Sequence, residues 1–173
     1  MKTNLNYLIM YLLGLLLGLA FPDFDYYFLV DYISHRSLFT HSILIVILFV
    51  TLLKNKDDLK ITNYLIGFNF GIIIHLISDL DLPSNLFGAR TIKFFFYDLG
   101  IISFYWLIGN ILIGFYVAEK LYKKIDIDKK KYYLINLIFC CVFIYFNSEI
   151  YLFLITLFIG LSFIFSFLRR SLP

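Results

Sequence analysis

The chain has 173 residues, of which 61% are hydrophobic and 16% charged, against roughly 45–50% and about 25% in soluble globular domains. A soluble protein of this length has too little interior for that apolar load, and an aromatic content of 21% excludes a disordered chain. The composition is that of one integral membrane domain, residues 1–173. Cys140 and Cys141 are adjacent within an apolar run, a spacing that suits neither an unstrained disulfide nor a CxxC metal pattern, so they read as apolar filler.

Six apolar stretches follow one another between charged segments: Leu5–Phe21, Ser37–Leu53, Ile61–Leu80, Leu99–Ala118, Tyr132–Asn147 and Ile150–Leu168. Most approach the roughly 17–25 residues that a spanning helix needs. The fifth is short, and the second qualifies only by including His41. The runs are continuous rather than alternating with period two, which argues against a β-barrel. The expected fold is therefore an all-α, polytopic membrane protein of about six transmembrane helices.

Orientation follows from the cations. With the N-terminus inside, twelve of the fifteen Lys and Arg residues fall on the cytoplasmic side, and only Arg36, Arg90 and Lys93 fall outside. That asymmetry is a positive-inside signal and places both termini in the cytoplasm. The beginning of the chain also fits a secretory signal, with Lys2, an apolar run and Gly18-Leu19-Ala20. Under either reading the segment after residue 21 starts outside. The basic run Lys120–Lys131 reads as a topology determinant drawn to anionic lipid, without the aromatic or motif support of a nucleic-acid interface.

The polar residues within this apolar frame are not scattered. Asp23 and Asp25 follow the outer end of helix 1, and His35, Arg36 and His41 lie on the approach to helix 2 and in its first turns. His75 and Asp79 lie in the last turns of helix 3, again at the outer end. Helix parity thus brings three carboxylates and three imidazoles to one depth on one side. His75 and Asp79, four residues apart, share a helix face. The same stripe runs back through Gly71 and Gly67, and helix 1 carries a second close-packing pair, Gly14-xxx-Gly18. If the two stripes meet, helix 1 delivers Pro22-Asp23-Phe24-Asp25 beside His75 and Asp79. Insertion tolerates the Asp: it costs about 2.5–3.5 kcal/mol at mid-helix. The eleven Leu, Ile and Phe residues of Ile61–Leu80 contribute on the order of −5 kcal/mol in return.

The motifs Pro22-Asp23-Phe24-Asp25, then His35-Arg36-Ser37-Leu38-Phe39-Thr40-His41-Ser42, then His75-xxx-Asp79 resemble the YdjM-like family of inner-membrane metal-dependent hydrolases. The family's pattern reads PDxD, HRxxTHS and HxxxD in that order. The resemblance covers about residues 8–100, leaving 101–173 as a variable helical part. It implies distant similarity to zinc-dependent phospholipase C and P1-type nuclease folds, a multi-pass location in the inner membrane, and a divalent metal, zinc first, with manganese or iron as alternatives. One departure is that Leu86–Asp98 contains no proline, where the family has a glycine and then a proline.

Mixed imidazole and carboxylate donors suit such metals. Asp23, Asp25, His41, His75 and Asp79 are the candidate ligands, Asp25 and His35 the candidate catalytic groups. His35 is either a sixth ligand or a proton carrier, being six residues from His41 and so not on one helical face with it. Arg36 is the candidate phosphate contact, while Arg90 and Lys93 read more simply as snorkelling side chains of the Phe-rich stretch Leu86–Tyr97. The expected activity is hydrolysis of a phosphoester, lipid or lipid-linked, at headgroup depth. The alternative is a non-enzymatic membrane protein with a structural metal, or a metal or proton carrier. Carriers hold their ionisable groups near the midplane, whereas these cluster at one end.

Overall fold

The computed structural model describes residues 5–26, 36–53, 58–80, 92–94, 97–125 and 129–147. They are mostly helical: α1 (Leu5–Ala20), a 3₁₀ turn (Pro22–Tyr26), α2 (Leu44–Leu52), α3 (Leu59–Ser78), α4 (Ile102–Tyr122) and α5 (Lys129–Asn147), with a two-stranded ribbon, β1 (Lys93–Phe94) and β2 (Tyr97–Asp98), before α4. The sixth apolar stretch, Ile150–Leu168, lies outside the described residues.

Helix α3 is the axis of the bundle. It begins at Asp58, whose side chain accepts the Lys60 amide at 2.7 Å, the standard way to satisfy an orphan donor at a helix start. From Thr62 to Ser78 nearly every residue is buried, because α1, α2, α4 and α5 all pack around it.

The two glycine stripes do meet. Gly14 and Gly18 lie against the α3 backbone at Tyr64 and Phe68, and Gly67 and Gly71 lie against the α1 backbone at Tyr11, Leu15 and Leu19. The paired positions advance together, so α1 and α3 are parallel and close enough for main chains to touch, the property that small residues confer on such interfaces. Helix α2 runs the other way, with Ile43 near Gly114 at one end and Phe49 against Phe68 at the other. Helix α4 is also antiparallel to α3: Trp106 near its start reaches the His41 carbonyl beside His75, Gly114 accepts from Asn69 Nδ2 at 2.9 Å, and Tyr122 at its end lies beside Phe70. Helix α5 runs with α3, from Tyr132 OH donating to Asn63 Oδ1 (3.0 Å) to Phe143 beside His75. Successive helices therefore alternate in direction.

At the end of the bundle away from His75, Tyr11 hydrogen-bonds Asn136 and stands edge-on to Tyr132 with ring centroids 4.4 Å apart. This polar and aromatic knot ties α1, α3 and α5 together.

Two helices, α3 and α4, are long and apolar enough to cross a membrane. The expectation of a helix over Ser37–Leu53 is corrected: α2 has nine residues, only about 14 Å of rise, and residues 36–43 form turns instead. Helix is prevented there because the segment spends its hydrogen bonds elsewhere. The Arg36 carbonyl accepts the Lys93 amide, and the Leu38 amide donates to the Lys93 carbonyl, both at 2.9 Å. Ser37 and Lys93 thereby form a parallel bridge. Arg36 takes a left-handed conformation, φ 67°, which breaks any helix and is uncommon for a residue with a Cβ.

Candidate metal centre

Three chain segments converge at the end of the bundle where α1 and α3 finish. The 3₁₀ turn after α1 supplies Asp23 and Asp25, the turns before α2 supply His41, and the last turn of α3 supplies His75 with Asp79 as its C-cap. His41, His75, Asp25 and Asp79 are buried, whereas the Asp23 side chain is 52% exposed. The cluster is thus closed on the bundle side and open at Asp23.

Three short separations link the four side chains. Asp79 Oδ2 is 3.4 Å from His41 Nε2 and 3.5 Å from His75 Nε2, and Asp23 Oδ1 is 3.7 Å from His75 Nε2. Asp23, His41 and His75 each offer a ligand atom, all within 4.8 Å of one another, so this group could hold a metal ion. Well-formed hydrogen bonds to nitrogen are shorter, about 2.7–3.2 Å. Ligands about 2.0–2.2 Å from one tetrahedral ion stand roughly 3.3–3.6 Å apart. Three of the separations, 3.4, 3.5 and 3.7 Å, are close to such an edge, and the Asp23, His41 and His75 group as a whole extends to 4.8 Å.

The imidazole of His75 is oriented for this. Its Nδ1 lies 2.9 Å from the Leu19 carbonyl oxygen, which can only accept, so Nδ1 carries the proton and Nε2 turns its lone pair toward Asp23 and Asp79. The glycine stripes put Leu19 there, since Gly71 lets the α1 main chain approach α3 within one turn of His75. Phe143 of α5 covers the His75 ring, centroids 5.6 Å apart.

Asp25 stands on the far side of His41. Its Oδ2 accepts the Ser37 amide at 2.8 Å and the Thr40 hydroxyl at 2.6 Å, and lies 3.9 Å from His41 Nδ1, the ring nitrogen turned away from Asp79. Arg36 begins this turn, in its left-handed conformation. His35 and Arg90 lie outside the described residues. Lys93 belongs to β1, and its backbone holds the Arg36–Leu38 turn.

Sequence reasoning did not find the groups that hold the His41 turn from behind. Trp106 Nε1 donates to the His41 carbonyl (3.0 Å), Asn110 Oδ1 accepts the Ile43 amide (2.9 Å), and Asn110 Nδ2 donates to the Trp106 carbonyl (2.8 Å). Ser103 Oγ accepts the Ile92 amide (2.9 Å), seating the ribbon on α4. The usable signal was a polar stripe, Ser103, Trp106 and Asn110, at helical spacing along an otherwise apolar helix. The three sequence motifs all lie before residue 80, yet α4 anchors the turn that carries the second of them.

Comparison of the chain with family models, with curated proteins and with solved structures finds no match.

Proposed function

We propose that this chain is a membrane-embedded, metal-dependent hydrolase of phosphoesters, a member of the YdjM-like family, with its site at the extracytoplasmic interface of the cell membrane. The carrying observation is the group Asp23, His41 and His75, whose ligand atoms lie within 4.8 Å of one another, with Asp79 Oδ2 at 3.4 and 3.5 Å from the two imidazoles; its members come from the three motifs that carry the family resemblance. His41, His75, Asp79 and Asp23 would hold a divalent ion, with zinc the best fit to two imidazoles and two carboxylates. When bound, such an ion supplies Lewis-acid polarisation of a phosphoryl oxygen and acidifies water.

The residues around it have separate tasks. Asp23, the exposed member, lies on the side from which substrate arrives. Arg36 would pair with the phosphate through its forked donors. Buried apolar walls of α1, α3 and α5 keep water from the other sides, which strengthens every charge interaction within the site. His35 is proposed as a further ligand or proton carrier. The substrate would be a lipid or lipid-linked phosphoester, since the cluster lies at one end of the bundle rather than at its middle.

In the membrane we propose six crossings with both termini cytoplasmic, the second made by the turns at 36–43 together with α2 and the sixth resting on the apolar sequence Ile150–Leu168; the alternating directions of α1 to α5 and the distribution of cations support this. In a variant carrying Cys140→Ser and Cys141→Ser, a cysteine at Asn85 should react with an impermeant reagent added outside, and one at Asp57 should not. Reaction at Asp57 alone would invert the topology.

The activity test is a panel of lipid, nucleotide and sugar phosphoesters offered to metal-loaded protein. Arg36→Ala should keep its metal and lose turnover mainly through a raised KM. Protein that is loaded with metal and inactive across the whole panel would instead favour a structural metal.

A further inference from the structure

We propose that Thr40 is a positioning residue that passes the charge of Asp25 to His41 and thereby fixes which nitrogen of His41 faces the metal position. The inference rests on the metal-site reading above, and it assigns Asp25 a place behind the ligands.

The hydrogens can be counted. A threonine hydroxyl has one proton to donate and lone pairs to accept with. Thr40 Oγ1 lies 2.6 Å from Asp25 Oδ2, 3.2 Å from the Ser37 carbonyl, 2.9 Å from Ser37 Oγ and 3.1 Å from His41 Nδ1. The carboxylate only accepts, and it is both the nearest neighbour and the charged one, so the proton goes to Asp25. Were the proton directed to His41 instead, two oxygen lone pairs would face one another across 2.6 Å. Thr40 must therefore accept from His41, which places the proton on Nδ1 and the lone pair on Nε2, the atom 3.4 Å from Asp79.

The arrangement does for His41 what the Leu19 carbonyl does for His75. Metal-binding imidazoles generally donate their second N–H to a carboxylate, carbonyl or water; here a hydroxyl is interposed. It is also braced. The Thr40 amide donates to Ser37 Oγ at 3.2 Å, and the Ser37 amide donates to the same Asp25 oxygen at 2.8 Å. Asp25, Ser37, Thr40 and His41 thus form one connected unit whose members come from two of the sequence motifs.

The test compares wild type, Thr40→Val and Thr40→Ser. Valine keeps the shape and removes the hydroxyl; serine restores the hydroxyl without the methyl. Long-range nitrogen NMR of histidine-labelled, metal-free protein, with His41 assigned through His41→Gln, reads the tautomer directly. Wild type and Thr40→Ser should show His41 protonated on Nδ1, and Thr40→Val should lose that preference. Cobalt(II) binding should fall about 10–100-fold in Thr40→Val, as for other outer-shell losses, with a changed visible spectrum, and stay near wild type in Thr40→Ser. A wild-type His41 protonated on Nε2 would overturn the proposal. So would a Thr40→Val protein with wild-type tautomer and cobalt affinity, or a Thr40→Ser protein as impaired as Thr40→Val. If wild type shows the Nδ1 proton but binds no cobalt, the relay stands and the metal-site reading falls.

Discussion

Asp79→Asn is expected to abolish metal-dependent phosphoester turnover, by about 10²–10⁴-fold or more, and to weaken metal binding in the same protein. The carboxylate is buried between two imidazoles, with Oδ2 at 3.4 and 3.5 Å from their Nε2 atoms. An amide of the same shape leaves the packing unchanged but offers a weaker ligand and no base. The near-isosteric change therefore separates chemistry from folding. A catalytic centre predicts folded protein with depleted metal and no activity. A purely structural site predicts loss of the folded protein itself. Metal titration and thermal unfolding of the same detergent-solubilised sample distinguish the two. An Asp79→Asn protein with normal metal content would remove Asp79 from the ligand set.

Gly18→Ala is expected to destabilise the bundle by about 1–3 kcal/mol or more, although alanine is by itself the better helix former. On propensity alone the change would stabilise by roughly 0.5–1 kcal/mol. The sign reverses because a methyl at Gly18 would drive into the Phe68 carbonyl, and neither main chain can yield as a flexible side chain would. Gly67→Ala should behave alike, against the Tyr11 carbonyl. Gly109→Ala is the control, since nothing lies within 4 Å of a Cβ there, and its melting temperature should not fall. The consequence reaches the site. Prising α1 from α3 withdraws the Leu19 carbonyl from His75 Nδ1, now at 2.9 Å, and draws Asp23 away with it. Gly18→Ala should therefore lose metal affinity as well as stability, whereas a mutation that loosens only α4 should spare the α1–α3 contact. Equal melting temperatures for Gly18→Ala and Gly109→Ala would refute the close packing.

The α1–α3 contact was legible in the sequence as a conditional one, because two GxxxG pairs, one of them in line with His75 and Asp79, suit close helix packing. Gathering Asp23, His41, His75 and Asp79 at one end followed from helix parity alone. The course of Ser37–Leu53 was not legible. Its apolar composition fits a spanning helix, and only the long-range partners Asp25 and Lys93 draw residues 36–43 into turns. The roles of Asp23 and Asp25 were equally hidden, since spacing makes them equivalent. The chain turns Asp23 Oδ1 toward His75, while Asp25 faces Ser37 and Thr40. Trp106 and Asn110 reach the site by packing across 65 and 67 positions of sequence, beyond any local pattern. The ribbon at 93–98 has two residues per strand, too few for alternation to register.

We propose that Asp23, His41 and His75, with Asp79 as the fourth ligand, surround one divalent ion. X-ray absorption at the zinc edge of the loaded, purified protein tests it most directly. We predict one zinc per chain, with two imidazole nitrogens and two oxygens at about 2.0–2.2 Å. Protein that retains no zinc, or zinc whose spectrum lacks imidazole scattering and shows sulfur at about 2.3 Å, would mean that these four residues do not hold the ion.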